Sequence, residues 1–246
     1  MNLLLLDSRD PVQHLPADDR RAVHVREILH KGAGDTLLVG VVGGPRAMAT
    51  IESFDDRGSD LVLRIDWATG DPRAPIVPVC LPITLLIGLP RPQTARKILQ
   101  ECTSLGVQSL WFFRSELGEK SYATSKLWST DEWDQLRRLG AEQACSTYLP
   151  PVRHFAYLGE ALRELPDDAV RVVFDPDARP PVMAVAMPVS DQHVLAIGSE
   201  RGWSERERSA LRLTGFAARP LGPRILRTET ACLVALTRLA SEAGLM

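Results

Sequence analysis

The sequence is short of the features that mark several large protein classes. Net charge is −2 over 246 residues, so no global excess of positive charge marks a nucleic-acid surface. Only four cysteines occur: Cys80, Cys102, Cys145 and Cys232. None stand at metal-ligand spacing, and they do not make a disulfide framework. Each is expected to be a small buried apolar residue in a reducing compartment. Long hydrophobic runs are missing too. The opening MNLLLLDSRD carries four consecutive leucines with no basic stretch before them, too short for a signal peptide or a membrane span. It reads as a first β-strand, and a cytoplasmic location is expected. There is no GxGxxG after the first strand, no P-loop, no GxSxG and no HExxH. A nicotinamide-binding Rossmann fold thus lacks its fingerprint. The five histidines are dispersed, so a metal site has no support. Internal repeats and low-complexity tracts are also absent.

What is present fits an ordinary globular chain, with 45% hydrophobic and 24% charged residues. Its length allows one large domain or two smaller ones. Charge is distributed unevenly. Residues 194–231 hold seven Arg against four Glu, and residues 88–126 six Lys or Arg against three Glu. Residues 1–70 hold eight Lys or Arg against eleven acids. Two later segments therefore concentrate cations that one face could share.

The first seventy residues read as a small β-rich module. Strands are expected at 3–6, 36–42, 47–54 and 60–67, with a helix over 18–29 from the spacing of Ala22, Val25, Ile28 and Leu29. Turns fall at 31–35, 43–45 and 55–58. Residues 71–82 carry four prolines, a density that favours an extended connector. The domain boundary is placed here, giving domains 1–72 and 73–246. The second part alternates strand and helix, the pattern of an α/β sheet. Strands are expected at 83–88, 107–113, 170–174, 193–197 and 217–221, and helices at 93–105, 129–144 and 229–240. Gly106 stands where a C-terminal cap belongs. Ser129 with Glu132, and Ser204 with Glu207, have capping-box spacing.

Four stretches carry candidate chemistry. IGSERG (197–202) leaves a buried-type strand, where ligands sit in open α/β sheets; alone, such a turn is more often merely structural. LGPRILRTETA (221–231) packs Arg224, Arg227, Thr228, Glu229 and Thr230 between a strand and a helix. Thr228 is expected as an N-cap and Glu229 as a first-turn acid, which also makes a rigid pocket wall. FDPDARP (174–180) and LPRPQTARK (89–97) are the others, the latter with three cations near a helix start and as readily a solvated face.

LGPRILRTETA closely resembles the C-terminal signature of the 16S rRNA uridine-nitrogen-3 methyltransferases, the RsmE family of the SPOUT class. GLPRPQTARKILQECTSLGV (88–107), SELGEKSY (115–122) and GAEQACSTYLPP (140–151) are similar to further family segments, in the same order. HVREIL and GDTL resemble its N-terminal module, so the likeness spans essentially the whole chain. The resemblance implies an α/β fold: a SPOUT domain with a C-terminal trefoil knot, an exception to the usual no-knot rule, preceded by a PUA-like RNA-binding β-barrel. It implies S-adenosylmethionine as cofactor, a homodimer, no metal, and methylation of a uridine in small-subunit ribosomal RNA. The cofactor is expected against Phe174, Asp175 and Pro176, then Ile197, Gly198, Glu200 and Gly202, then Leu221, Gly222, Arg224, Ile225, Leu226 and Thr228. Arg227 is expected to stabilise the uracil anion or anchor phosphate, and Glu229 to orient Arg227 or act as base. Arg91, Arg96, Lys97, Lys120 and Arg201 are the expected RNA contacts. Two alternatives stay open: another SPOUT methylation, at the ribose 2′-hydroxyl, or a non-catalytic RNA-binding or assembly homologue.

The chain departs from the family at GSERG (198–202), where GPEGG is usual, and at His30, where arginine is usual. If the replaced glycine has positive φ, Arg201 is expected to carry roughly 1 kcal/mol of strain and to fill part of the pocket or meet phosphate.

Overall fold

The computed structural model describes residues 3–54, 59–71, 80–178 and 192–246. The turn expected at 55–58, most of the proline-rich connector and the end of the FDPDARP stretch lie outside them. The chain divides into two units: Met1–Val79 with Arg138–Leu149, and Cys80–Arg137 with Pro150–Met246. The boundary expected after residue 72 falls outside the described residues. The grouping of 138–149 with the first unit had no counterpart in the sequence reading.

In the first unit, β1 (Leu4–Leu6), β2 (Val12–Leu15), α1 (Arg20–Glu27), β3 (Thr36–Val41), β4 (Arg46–Ser53) and β5 (Leu61–Ile65) follow in order. The sheet order is β1-β3-β4-β5-β2. Only β1 and β3 are parallel. Alternation is clean in β4 and β5, where Ala47, Ala49, Ile51, Leu61, Leu63 and Ile65 face a common core with Ala22 and Val25 of α1. The β2 strand was not anticipated, because VQHL is short and only its last residue is buried. Glu142 is fully buried here. Its carboxylate forms an ion pair with Arg20 at 3.0 Å and accepts the Leu5 N–H at 3.4 Å. A buried charge requires such partners. His30 and Cys145 adopt positive φ, 50° and 53°.

The second unit runs β6 (Leu81–Gly88), α2 (Pro92–Ser104), β7 (Val107–Phe113), a 3₁₀ turn (Lys120–Thr124), α3 (Lys126–Ser129) and α4 (Glu132–Gln143), whose end belongs to the first unit. Then come β8 (Val152–Phe155), α5 (Leu158–Arg163), β9 (Val170–Phe174), β10 (His193–Ile197), α6 (Glu205–Leu213), β11 (Ala217–Arg219) and α7 (Thr228–Glu242). Six parallel strands are ordered β11-β9-β10-β6-β7-β8. The central β10 is buried throughout, and β6 over its last four residues. That is why they read as continuous apolar runs rather than alternating ones. One sheet face packs on α2 and α7 through Ile98, Leu99, Cys102, Cys232, Leu236 and Leu239. The opposite face packs on α5 and α6. Gly106 has φ +77° and donates to the Thr103 carbonyl, ending α2 as expected.

Two local expectations are corrected. Ser129 does not cap a helix over 129–144. It ends the short α3, and α4 starts at Glu132, whose N–H donates to the Thr130 hydroxyl oxygen at 3.3 Å. The Glu132 carboxylate is drawn away by a two-pronged ion pair with Arg96. Of the cysteines, only Cys102 and Cys232 are buried; Cys80 and Cys145 are half-buried. Burial pushes the Cys102 thiol up to about 12, so it packs as an inert apolar group.

Candidate functional site

At the carboxyl ends of β9 and β10 lies a cavity of about 330 Å³, within the range that takes a small-molecule ligand. Three segments wall it: 174–176, 197–203 and 221–231, with Arg91 and Thr94 from the start of α2. Every residue assigned to the cofactor in the sequence lies on this wall, as do Arg227 and Glu229.

The first segment is clamped from behind. Asp175 is 7% exposed. Its carboxylate accepts from Arg208 of α6, Nε at 2.6 Å and Nη2 at 3.2 Å. That hydrogen bond pushes the Arg208 guanidinium further above its usual range. The Trp203 indole donates to the Phe174 carbonyl at 3.1 Å, tying the ends of two parallel strands together.

The second segment is a tight turn. Gly202 has φ +71° and donates to the Ser199 carbonyl at 2.9 Å. A side chain at Gly198 would meet the Gly202 backbone at 3.0 Å, and one at Gly88 would meet Ser199 N at 2.6 Å. The backbones approach this closely only because both positions are glycine. Glu200 accepts the Arg91 N–H at 2.9 Å, which holds the turn to the mouth of α2. The expected capping box of Ser204 and Glu207 is present and starts α6 immediately beyond. Glu207 also accepts the Glu116 N–H at 3.0 Å, which anchors the segment after β7.

The positive φ expected at Arg201 sits at Gly202 instead; Arg201 is outside that region and carries none of the expected strain. Its guanidinium does not line the cavity. It pairs with Glu119 at 3.2 Å on the surface.

The third segment is open. Arg224 and Ile225 are exposed, Ile225 at 89%. Thr228 is not the N-cap of α7. Arg227 takes that place with extended backbone and no side-chain cap, and Thr228 is buried as the first helical residue. Glu229 is 8% exposed and pairs with Lys97 at 3.1 Å. Burial pushes its carboxyl up. Its own backbone N–H, Lys97 and the charge of Arg227 pull it down and win, leaving it below its usual value. It is an ionised anchor, poorly suited to take a proton near neutral pH.

The charges on the wall therefore do not cancel as a count would suggest. The Asp175, Glu200 and Glu229 carboxylates each hold a protein donor. The side chains of Arg224 and Arg227 have no hydrogen-bond or ion-pair partner among the described residues. Of the expected RNA contacts, only Arg91 lines the cavity. Arg96 and Lys97 are engaged with Glu132 and Glu229, and Lys120 opens the exposed 3₁₀ turn. Thr94 and Trp203 line the cavity without having been singled out, and Ser199, noted only as part of the GSERG departure, lines it too. Trp203 follows IGSERG directly, which was its available signal. Arg208 had none, since 33 residues separate it from Asp175.

The family model described as an RNA methyltransferase domain matches residues 78–240. The ribosomal RNA small subunit methyltransferase E of Treponema pallidum is 30% identical, over 99% of this chain and 92% of that protein. Ribosomal RNA small subunit methyltransferase E 1 of Borreliella burgdorferi is 26% identical over 98% of both. The crystal structure of the Neisseria gonorrhoeae enzyme of that name, bound to S-adenosylmethionine, superposes with a TM-score of 0.79 at 23% identity, covering 98% of this chain and 97% of that one. The chain belongs to the ribosomal RNA small subunit methyltransferase E family.

Proposed function

We propose that this protein transfers a methyl group from S-adenosylmethionine to ring nitrogen 3 of a uridine in small-subunit ribosomal RNA. The observation that carries the reading is the cavity itself: three loops at the sheet's carboxyl edge, carboxylates already paired, two guanidiniums unpaired. The residues fit the cofactor. Ile197, Leu221, Ile225 and Leu226 offer apolar wall for an adenine. Ser199 Oγ is a buried polar atom without a partner on that wall.

When bound, the cofactor supplies a methyl group whose bond to sulfur breaks with its electron pair left on sulfur. The residues must bring the uracil nitrogen into line and stabilise the anion left as its proton departs. Arg227 is the group for that anion. Lys97 and the first turn of α7 hold Glu229 ionised, so it adds negative charge near Arg227 rather than taking the proton. Because nitrogen 3 faces the pairing partner, the base must be unpaired or turned out. Arg91 at the cavity mouth is suited to a flanking phosphate.

The same reading includes a C-terminal knot, a PUA-like RNA-binding first unit, a homodimer and a cytoplasmic location. The knot is supported by the path of the chain. After β11 at the sheet edge, residues 220–227 return so that α7 packs on α2, β6 and β10. The first unit's five-stranded sheet supports the barrel. No described helix is long and apolar enough to cross a membrane.

The test is labelled cofactor with small-subunit RNA and with assembled particles, followed by mapping of the product nucleoside. 3-Methyluridine is expected. A ribose 2′-O-methyl product would replace this reading with the other SPOUT reaction. Absence of transfer, with RNA binding intact and no cofactor binding, would replace it with a non-catalytic role.

A further inference from the structure

A second cavity, of about 470 Å³, opens on the same carboxyl edge of the sheet, beside β7 and β8. Its walls are unlike those of the first. The chain has five tryptophans and six phenylalanines, and Trp128, Trp133, Phe112, Phe113 and Phe155 all line this one space. His154 adds a sixth ring, stacked on Phe112 at 5.7 Å and edge-on to Trp128 at 4.4 Å. The Trp128 indole nitrogen is buried with no acceptor among the described residues. Arg114 lies on the wall, exposed, with no side-chain partner among the described residues.

The three phenylalanines are buried, but Trp128 and Trp133 are half-buried and His154 is exposed, and Arg137 lies over one face of Trp133 only. These rings, one unmatched N–H donor and a cation at the edge make a surface for a planar, acceptor-bearing, anionic ligand. A nucleotide is such a ligand: bases stack on aromatic faces whatever their sequence, and the phosphate takes the arginine. The two cavities are neighbours along the chain. Leu89 lines the second and Arg91 the first, and two residues span at most about 7 Å. We infer that this aromatic cavity holds an unpaired base of the RNA near the target base. It would grip the strand while the target enters the first cavity. The inference rests on the RNA-methylation reading and adds a separate binding site to it.

The test compares wild type, Trp133→Ala, Trp128→Phe and Arg114→Ala. Affinity for labelled small-subunit ribosomal RNA is measured by filter binding at several salt concentrations, cofactor affinity by calorimetry, and association state by ultracentrifugation. Trp133→Ala is expected to weaken RNA binding about tenfold, the loss of one base–aromatic stack, with cofactor affinity unchanged. Trp128→Phe keeps a ring and should lose less. Arg114→Ala should lower the salt dependence by about one counterion; its side chain is exposed, so it serves even if Trp133→Ala fails to fold. Wild type that methylates RNA, with Trp133→Ala and Arg114→Ala binding RNA as wild type does, overturns this inference alone. Variants that change the association state but not RNA affinity assign the cavity to contact between copies, and also overturn it. Wild type that neither binds nor methylates RNA overturns the functional reading as well.

Discussion

The 197–202 and 221–228 segments face one cavity but are built in opposite ways. In the first, nearly every group is engaged. Gly88 and Gly198 let backbones touch, Gly202 closes the turn, Glu200 holds the Arg91 amide, and the capping box follows at once. In the second, Gly222, Pro223, Arg224, Ile225 and Arg227 are exposed, and Arg224 and Arg227 have no ion-pair partner among the described residues. A rigid wall costs little to organise when a ligand binds, while an open one leaves charge free to meet what arrives. The comparison suggests a division of labour: the 197–202 turn shapes the cofactor's seat and the 221–228 segment supplies the reactive charge.

The largest test of that division is Arg227→Ala. Methyl transfer should fall by about 10²–10³, the usual loss for one transition-state donor, while calorimetry shows cofactor affinity nearly unchanged. Equal losses of both would end the separation of roles. Gly88→Ala attacks the other side. The new carbon would sit 2.6 Å from Ser199 N, which is backbone and cannot swing away. A stability loss of about 2 kcal/mol is expected, with cofactor binding weakened before RNA binding; thermal melts and calorimetry read both.

Lys97→Met is a smaller perturbation. It strips a partner from Glu229, which is nearly buried, at about 1 kcal/mol after allowance for the exposed lysine. A lowered carboxyl pKa contributes stability above its unfolded value near 4.5, lost as pH falls through the folded value. Without Lys97 the folded value rises, so the acid-side loss should begin at higher pH in melts taken from pH 7 downward. A curve that does not move would mean the pair is not formed in solution. The smallest effect is expected for Arg201→Gly: about 0.5 kcal/mol or less for one exposed ion pair and cofactor affinity within about twofold. A large gain in affinity would show that Arg201 does intrude on the cavity.

What could be read in advance follows a physical divide. The Ser204 and Glu207 capping box was legible because its partners are three residues apart and nothing else competes for them. Ser129 and Glu132 have the same spacing and failed, because Arg96 lies close enough to take the glutamate. The strands β6 and β10 were legible as apolar runs, whereas β2, β8 and α5 are short and weakly patterned. The cavity wall was legible largely through the LGPRILRTETA signature and its order with the other segments. Arg208 behind Asp175, and the aromatic cavity beside β7, were not.

The sequence by itself determined the alternation of strand and helix, the glycine turns and the family, because these rest on neighbouring residues and their periodicity. Tertiary structure alone decided which charges remain free. Glu229 is silenced by Lys97 from another helix, Asp175 by Arg208, and Arg201 is turned outward to Glu119. Electrostatics acts through space over a few ångströms, and only the fold sets those distances.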